Sequence, residues 1–177
     1  MLSDRDPGHK IIVPEASAQY GFDDCDDDWL YFIHGAATSG PTDFDTIEDI
    51  GQGDFGRGFY TFRLCVEDGE QGRQRAIQRA EIKAQRGGTA CLVYLKIERR
   101  VYNGLRQTVL TLEEATAAYN RYARMKETGF DLVCGPVLRN KGREAIPDFP
   151  LQYKFEGNGT RALIIHEIIT LTHEEMD

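Results

Sequence analysis

The chain has 177 residues, of which 41% are hydrophobic and 28% charged, with a net charge of −8. That length suits one domain with a real core, and the composition is that of a globular chain. The acidic balance weighs against broad nucleic-acid binding, which depends on neutralising phosphates, although a local basic patch can still serve one specific target. No apolar run approaches the ~20 residues a bilayer requires, so no membrane partner is expected, and Met1–Pro7 lacks a basic-then-apolar leader.

Residues 1–28 read as a polar N-terminal extension with one β-type fragment, Ile11–Val13, and residues 29–177 as a single domain. The acidic run Asp23-Asp24-Cys25-Asp26-Asp27-Asp28 reads as a solvated loop rather than a metal site, because calcium loops need spaced ligands and a turning glycine; no metal is expected. Trp29 to His34 predicts a strand buried on both faces. Residues 36–57 read as a long connection, and connections of that length inside a domain often cover a ligand. Its last part, Gly51-Gln-Gly-Asp-Phe-Gly-Arg-Gly58, holds four glycines in eight residues. It turns at once into a β-type run, Phe59-Tyr60-Thr61-Phe62, so Tyr60 stands at the loop's mouth.

Residues 71–85 predict a helix with Ala76, Ile77, Ala80 and Ala84 on one face, stopped by Gly87-Gly88. Thr89–Ile97 predicts a strand, with Tyr94, Leu95 and Ile97 in the sheet core. Thr111-Leu-Glu-Glu114 is a capping box opening a helix to about Lys126. Phe130–Val137 predicts a short strand and residues 139–149 a loop. Leu151–Phe155 and Arg161–Leu171 predict two strands joined at Gly157-Asn-Gly159 as a hairpin. The class is α+β with a mainly antiparallel sheet. Cys25, Cys65, Cys91 and Cys134 show no zinc spacing and read as buried free thiols, in keeping with a reducing cytoplasm. A protein made in one cytoplasm and delivered into another fits equally. His9, His166 and His173 have no catalytic context and read as structural.

Two familiar patterns fail on the glycine stretch. Gly51-x-Gly53-x-x-Gly56 matches the dinucleotide fingerprint as a string, but a strand follows where that mechanism needs a helix N-terminus. Ile50–Gly56 resembles a kinase glycine loop, but no His-Arg-Asp loop or second Asp-Phe-Gly follows. A third pattern is ordered along the chain: Leu30-Tyr-Phe-Ile-His-Gly35, Asp54-Phe-Gly-Arg-Gly-Phe-Tyr-Thr61, the Ala-spaced helix, Asp131-Leu-Val-Cys-Gly-Pro136 and Gln152-Tyr-Lys-Phe155. In these motifs the chain resembles the ADP-ribosyltransferase superfamily, in its His-Tyr-Glu branch, which includes diphtheria toxin and the poly(ADP-ribose) polymerases. Within that branch it is similar to a family of small bacterial and fungal domains carrying Asp-Phe-Gly-x-Gly-Phe-Tyr.

The resemblance implies two packed, mainly antiparallel sheets around an NAD⁺ cleft, with a few helices. It implies mono-ADP-ribosyl transfer from NAD⁺, as substrate, to a protein or nucleic-acid acceptor, by a toxin-like effector or defence protein with a cognate immunity protein or antitoxin as partner. NAD⁺ glycohydrolysis and non-catalytic NAD⁺ or ADP-ribose binding are the alternatives. His34, Tyr60 and Gln152 are the catalytic candidates. His34, Gly35, Arg57, Gly58, Phe59 and Tyr60 are the residues expected to bind NAD⁺. An imidazole can hydrogen-bond a ribose hydroxyl, a glycine backbone can meet the carboxamide, a tyrosine ring can stack on nicotinamide, and Arg57 can meet the pyrophosphate. Gln152 stands where the branch has Glu; its amide can hold a hydroxyl but carries no charge, which leaves Glu156 and Glu144 as possible sources of a carboxylate.

Overall fold

The computed structural model describes residues 9–12, 28–38, 51–66, 68–122, 128–139, 144–145 and 150–175. Along them run β1 (His9–Ile12), β2 (Trp29–Thr38), β3 (Gly51–Gly53), β4 (Gly56–Arg63), α1 (Gly69–Ala84), β5 (Thr89–Glu98), α2 (Arg99–Asn103), β6 (Gln107–Val109) and α3 (Leu112–Tyr122). They are followed by β7 (Leu132–Gly135), β8 (Leu138–Arg139), β9 (Glu144–Ala145), β10 (Gln152–Phe155), α4 (Asn158–Ala162), β11 (Ile164–Thr170) and β12 (Thr172–Glu175). The fold is mixed α+β and mainly antiparallel. One hydrogen-bonded path carries the order β11-β5-β2-β4-β10-β7-β6, with β3 added on β4; β1 pairs with β12, and β8 with β9.

Alternation along β5 fixes the layers. Leu92 and Tyr94 join Ile33, Ile77 and Ala80 under α1, while Cys91, Val93, Leu95 and Ile97 join Phe32, Phe59 and Phe155 on the opposite face. Both faces are covered, which is why the predicted strand at 89–97 is apolar from Ala90 to Leu95. Helix α1 buries only small and apolar residues, Gly69, Gly72, Ala76, Ile77 and Ala80, so its backbone approaches the sheet closely. The capping box forms as read: Glu114 N–H donates to Thr111 Oγ1, and Thr111 N–H to the Glu114 carboxylate, both at 3.2 Å.

Three local readings need correction. The strands on either side of Gly157-Asn-Gly159 do not form a hairpin: β10 pairs with β4 and β7, while β11 pairs with β5. Helix α4 fills the connection, entered through Gly157 at φ 54°. Gly159 has no room for a side chain, because an added Cβ would lie 2.1 Å from the Asp131 carbonyl oxygen. Cys65 is disulfide-bonded rather than free; Cys91 and Cys134 are free and buried, and Cys25 lies outside the described residues. Sequence context around one cysteine carries no signal of a distant partner. Finally, the connection read at 36–57 is shorter at both ends, since β2 runs on to Thr38 and β3 begins at Gly51. Asp23–Asp27 lie outside the described residues.

In place of two separate sheets there is one path with a narrow seam. β2 matches β5 over ten residue pairs but β4 over only two, Phe32↔Arg63 and Ile33↔Phe62. Past Ile33 the strands diverge, and the sheet forks at His34.

Gly35 lies at that fork against α1. An added Cβ would sit 2.1 Å from the Ala76 carbonyl oxygen and 2.8 Å from the Ala80 nitrogen. Both are helix backbone and cannot rotate away. Gly35→Ala is expected to cost roughly 3 kcal/mol or more, lowering Tm by on the order of 10 °C. A thermal melt with unchanged Tm would show that α1 does not pack as described.

Candidate active site at the fork of the sheet

A cavity of about 230 Å³ opens where β2 and β4 part, and His34, Gly35, Gly58, Tyr60 and Gln152 all line it. Three separate motifs thus supply one site. Its far wall is α1, through Arg75, Ala76, Arg79 and Lys83.

His34 is buried, and its ring stacks on Phe59 with centroids 4.2 Å apart. Nδ1 lies 2.6 Å from the Tyr60 carbonyl oxygen. A carbonyl only accepts, so Nδ1 carries the proton and Nε2 is the acceptor. Lys83 Nζ meets that acceptor at 3.3 Å and also donates to the Gly35 carbonyl at 2.8 Å. Phe59 is the floor beneath His34 and is not part of the cavity lining.

Tyr60 is held by its own turn. Its hydroxyl accepts from Phe55 N–H at 2.9 Å and donates to the Gly56 carbonyl. Gly53 covers one side of the ring so closely that an added Cβ would lie 2.4 Å from it. Burial pushes the phenol pKa far up, so the hydroxyl stays protonated and acts as a fixed strut. The rest of the ring faces the cavity.

Gln152 is buried, with its Nε2 donating to Asp54 Oδ2 at 2.7 Å and to the Pro136 carbonyl at 3.1 Å. Both partners are acceptors, which fixes the amide's orientation and turns Oε1 away from them. Asp54 Oδ2 also accepts Leu138 N–H at 2.9 Å. Asp54 lines the cavity, so the carboxylate beside Gln152 is Asp54. Sequence reasoning placed Asp54 in the motif but gave it no role.

Glu156 does not take that place. Glu156 accepts from Thr128 Oγ1 at 2.9 Å, Thr128 N–H at 3.2 Å and Gly129 N–H at 2.8 Å, and it pairs with Lys154 Nζ. It serves the protein interior and does not line the cavity. Glu144 lies on β9, paired with β8. Arg57 is exposed and also absent from the lining. Gly58 does line it, but its missing side chain has another use: an added Cβ would lie 2.6 Å from Lys154 Cδ. Lys154 is fully buried and donates to the Phe55 carbonyl at 3.2 Å and the Arg57 carbonyl at 3.4 Å.

Sequence reading also missed Arg75, Arg79 and Lys83. Their spacing of four on a helix was visible, but which face they would share with the glycine loop was not. Burial is the main influence on Arg75, lowering its pKa, with Arg79 adding to the effect and Asp54 opposing it. Burial raises the Cys134 thiol to about 11, which keeps it protonated and inert.

No protein-family model, curated protein or solved structure matches the chain.

The Lys154–Glu156 pair generates a stability prediction. Removing one member of a buried pair leaves the other uncompensated and costs about 3–5 kcal/mol. Lys154→Met should lose that much in urea unfolding, and Glu156→Gln added to it should recover part of the loss. Fully additive losses would mean the two groups do not depend on each other.

Proposed function

We propose that the protein is an NAD⁺-dependent mono-ADP-ribosyltransferase whose site is the cavity at the fork. One observation carries this reading: His34, Tyr60 and Gln152, from β2, β4 and β10, line a single cavity, with the Asp54 carboxylate hydrogen-bonded to Gln152. In this reading the fork of the single sheet serves as the NAD⁺ cleft.

In this reaction the bond between ribose C1′ and the nicotinamide nitrogen breaks, and its electron pair leaves with the ring, which becomes neutral. The ribose carries the positive charge as an oxocarbenium ion until an acceptor's lone pair bonds C1′ and the acceptor loses its proton. The nicotinamide ring stacks on the cavity side of Tyr60. Gln152 Oε1 accepts a hydrogen bond from one ribose hydroxyl, another hydroxyl displaces Lys83 as the donor to His34 Nε2, and the Gly35 backbone meets the carboxamide. Asp54 supplies the negative charge that Gln152 lacks, while the hydrogen bond from Gln152 holds it in place. Such fixed charge acts in the transition state more than in the ground state.

Nicotinamide release from NAD⁺ tests this. His34→Ala and Tyr60→Ala should each lose on the order of 10²–10³ in rate. Asp54→Asn should lower kcat more than it raises KM, because a unit charge ~4 Å from the cation contributes ~4 kcal/mol at an effective dielectric of about 20. Gln152→Glu should slow release, since the new carboxylate repels Asp54. With biotinylated NAD⁺, a labelled macromolecule marks transfer, whereas free ADP-ribose alone marks hydrolysis. Absence of nicotinamide release by the folded wild type, or full release by His34→Ala and Asp54→Asn together, overturns the assignment.

A further inference from the structure

We infer that Arg75, Arg79 and Lys83 form a diphosphate-binding wall, and that this wall, rather than Arg57, receives the pyrophosphate of the dinucleotide. The inference deepens the reading above and rests on it for the identity of the ligand. Its basis is separate. The three cations stand four residues apart along α1, so they share one side of the helix over about 12 Å. All three line the cavity, where Asp54 is the one acidic residue among the lining positions. In a chain of net charge −8, that is a local reversal of sign. A concave site of one sign focuses its field on an incoming counter-charge.

Packing explains how the row comes to face the cavity. Arg75 and Arg79 each precede a buried alanine of the stripe, Ala76 and Ala80. That stripe presses on Gly35 with no space for even a methyl group. The close approach brings the roots of the cationic side chains to the edge of the fork. Keeping them together carries a cost, since burial and Arg79 both lower the Arg75 pKa. A dianionic ligand offsets such a cost.

The row lies alongside the groups given to the nicotinamide riboside: Lys83 touches His34 and Gly35, and Arg75 feels the charge of Asp54. A diphosphate held by the row therefore stays next to the riboside. Guanidinium groups suit it because they can donate two parallel hydrogen bonds to phosphate oxygens. Arg57, exposed and absent from the lining, has no such position.

Calorimetric titration with ADP-ribose and with inorganic pyrophosphate tests the wall without any turnover. The wild type should bind both, more weakly as salt rises. Arg75→Gln and Arg79→Gln should each weaken ADP-ribose binding by about tenfold to a hundredfold, as expected for one charge-assisted hydrogen bond. Arg75→Lys should restore part of the affinity, and Arg57→Gln should leave it unchanged. Circular dichroism melts confirm that each variant folds. Failure of the wild type to bind either probe, or affinity that ignores Arg75→Gln and Arg79→Gln, overturns the inference. Nicotinamide release separates it from the functional reading. Arginine-dependent binding without NAD⁺ turnover keeps the wall and discards the enzyme. Turnover with a KM for NAD⁺ unmoved by either substitution keeps the enzyme and discards the wall.

Discussion

The site depends on one buried ammonium. Lys154 is wholly enclosed, and an enclosed cation is tolerable only where its hydrogen bonds are met. They are met by Glu156 and by the carbonyls of Phe55 and Arg57. Those carbonyls belong to the turn between β3 and β4 and to the start of β4, so Lys154 dictates the turn's position. Gly56, at φ 86°, lets the chain reverse there, and Gly58 leaves the volume that the lysine stem fills. The same turn grips the Tyr60 hydroxyl through Phe55 and Gly56. At its other end the pair is anchored by Thr128 and Gly129 just before β7. A pair of this kind is a poor source of net stability; its consequence here is a single geometry for the glycine turn.

The motifs scattered along the sequence are the parts of one joint. Phe55 is wholly buried, and its ring lies so close to Gly135 that an added Cβ there would come within 2.7 Å of it. Asp54 accepts from Leu138, just past Pro136, and Gln152 donates both to Asp54 and to the Pro136 carbonyl. The Asp-Phe-Gly, Gly-Pro and Gln-x-x-Phe segments therefore need one another: each satisfies polar groups or fills space that another leaves. Buried polar atoms left without such partners would cost about as much as the contacts contribute.

Much of this was legible in the residues themselves. Strands at 29–34, 89–97 and 151–155, the helix at 71–85 and the capping box at Thr111 follow from local pattern, and the structure shows all of them. Of the residues singled out, His34, Gly35, Gly58, Tyr60 and Gln152 line one cavity, and Arg57 and Phe59 do not. What was not legible depends on tertiary neighbours. Gly157-Asn-Gly159 has the composition of a hairpin turn, but β10 already has β4 and β7 on its two edges, leaving no edge for β11. Glu156 is a carboxylate at a promising distance along the strand, but four donors claim it. Asp54 begins the motif and was passed over, because only the fold reveals that Gln152 ends beside it. Glycines mislead in the same way. Gly35 and Gly58 line the cavity, yet the space left by their missing side chains is filled by helix α1 and Lys154 rather than by a ligand.

The proton on His34 Nδ1 links these features. Once the Tyr60 carbonyl fixes it there, the nitrogen facing the cavity can only accept. An acceptor in a cavity walled by cations draws a donor, and Lys83 is the nearest one. Lys83 sits on α1, and α1 is held against Gly35 by the absence of a side chain there. The tautomer of one histidine, the glycine beside it and the register of the helix are thus a single constraint. A longer residue at position 35 would lift the helix, withdraw Lys83 and spread the arginine row from the cavity. The empty space at Gly35 therefore serves the cationic wall as directly as any charged residue in it.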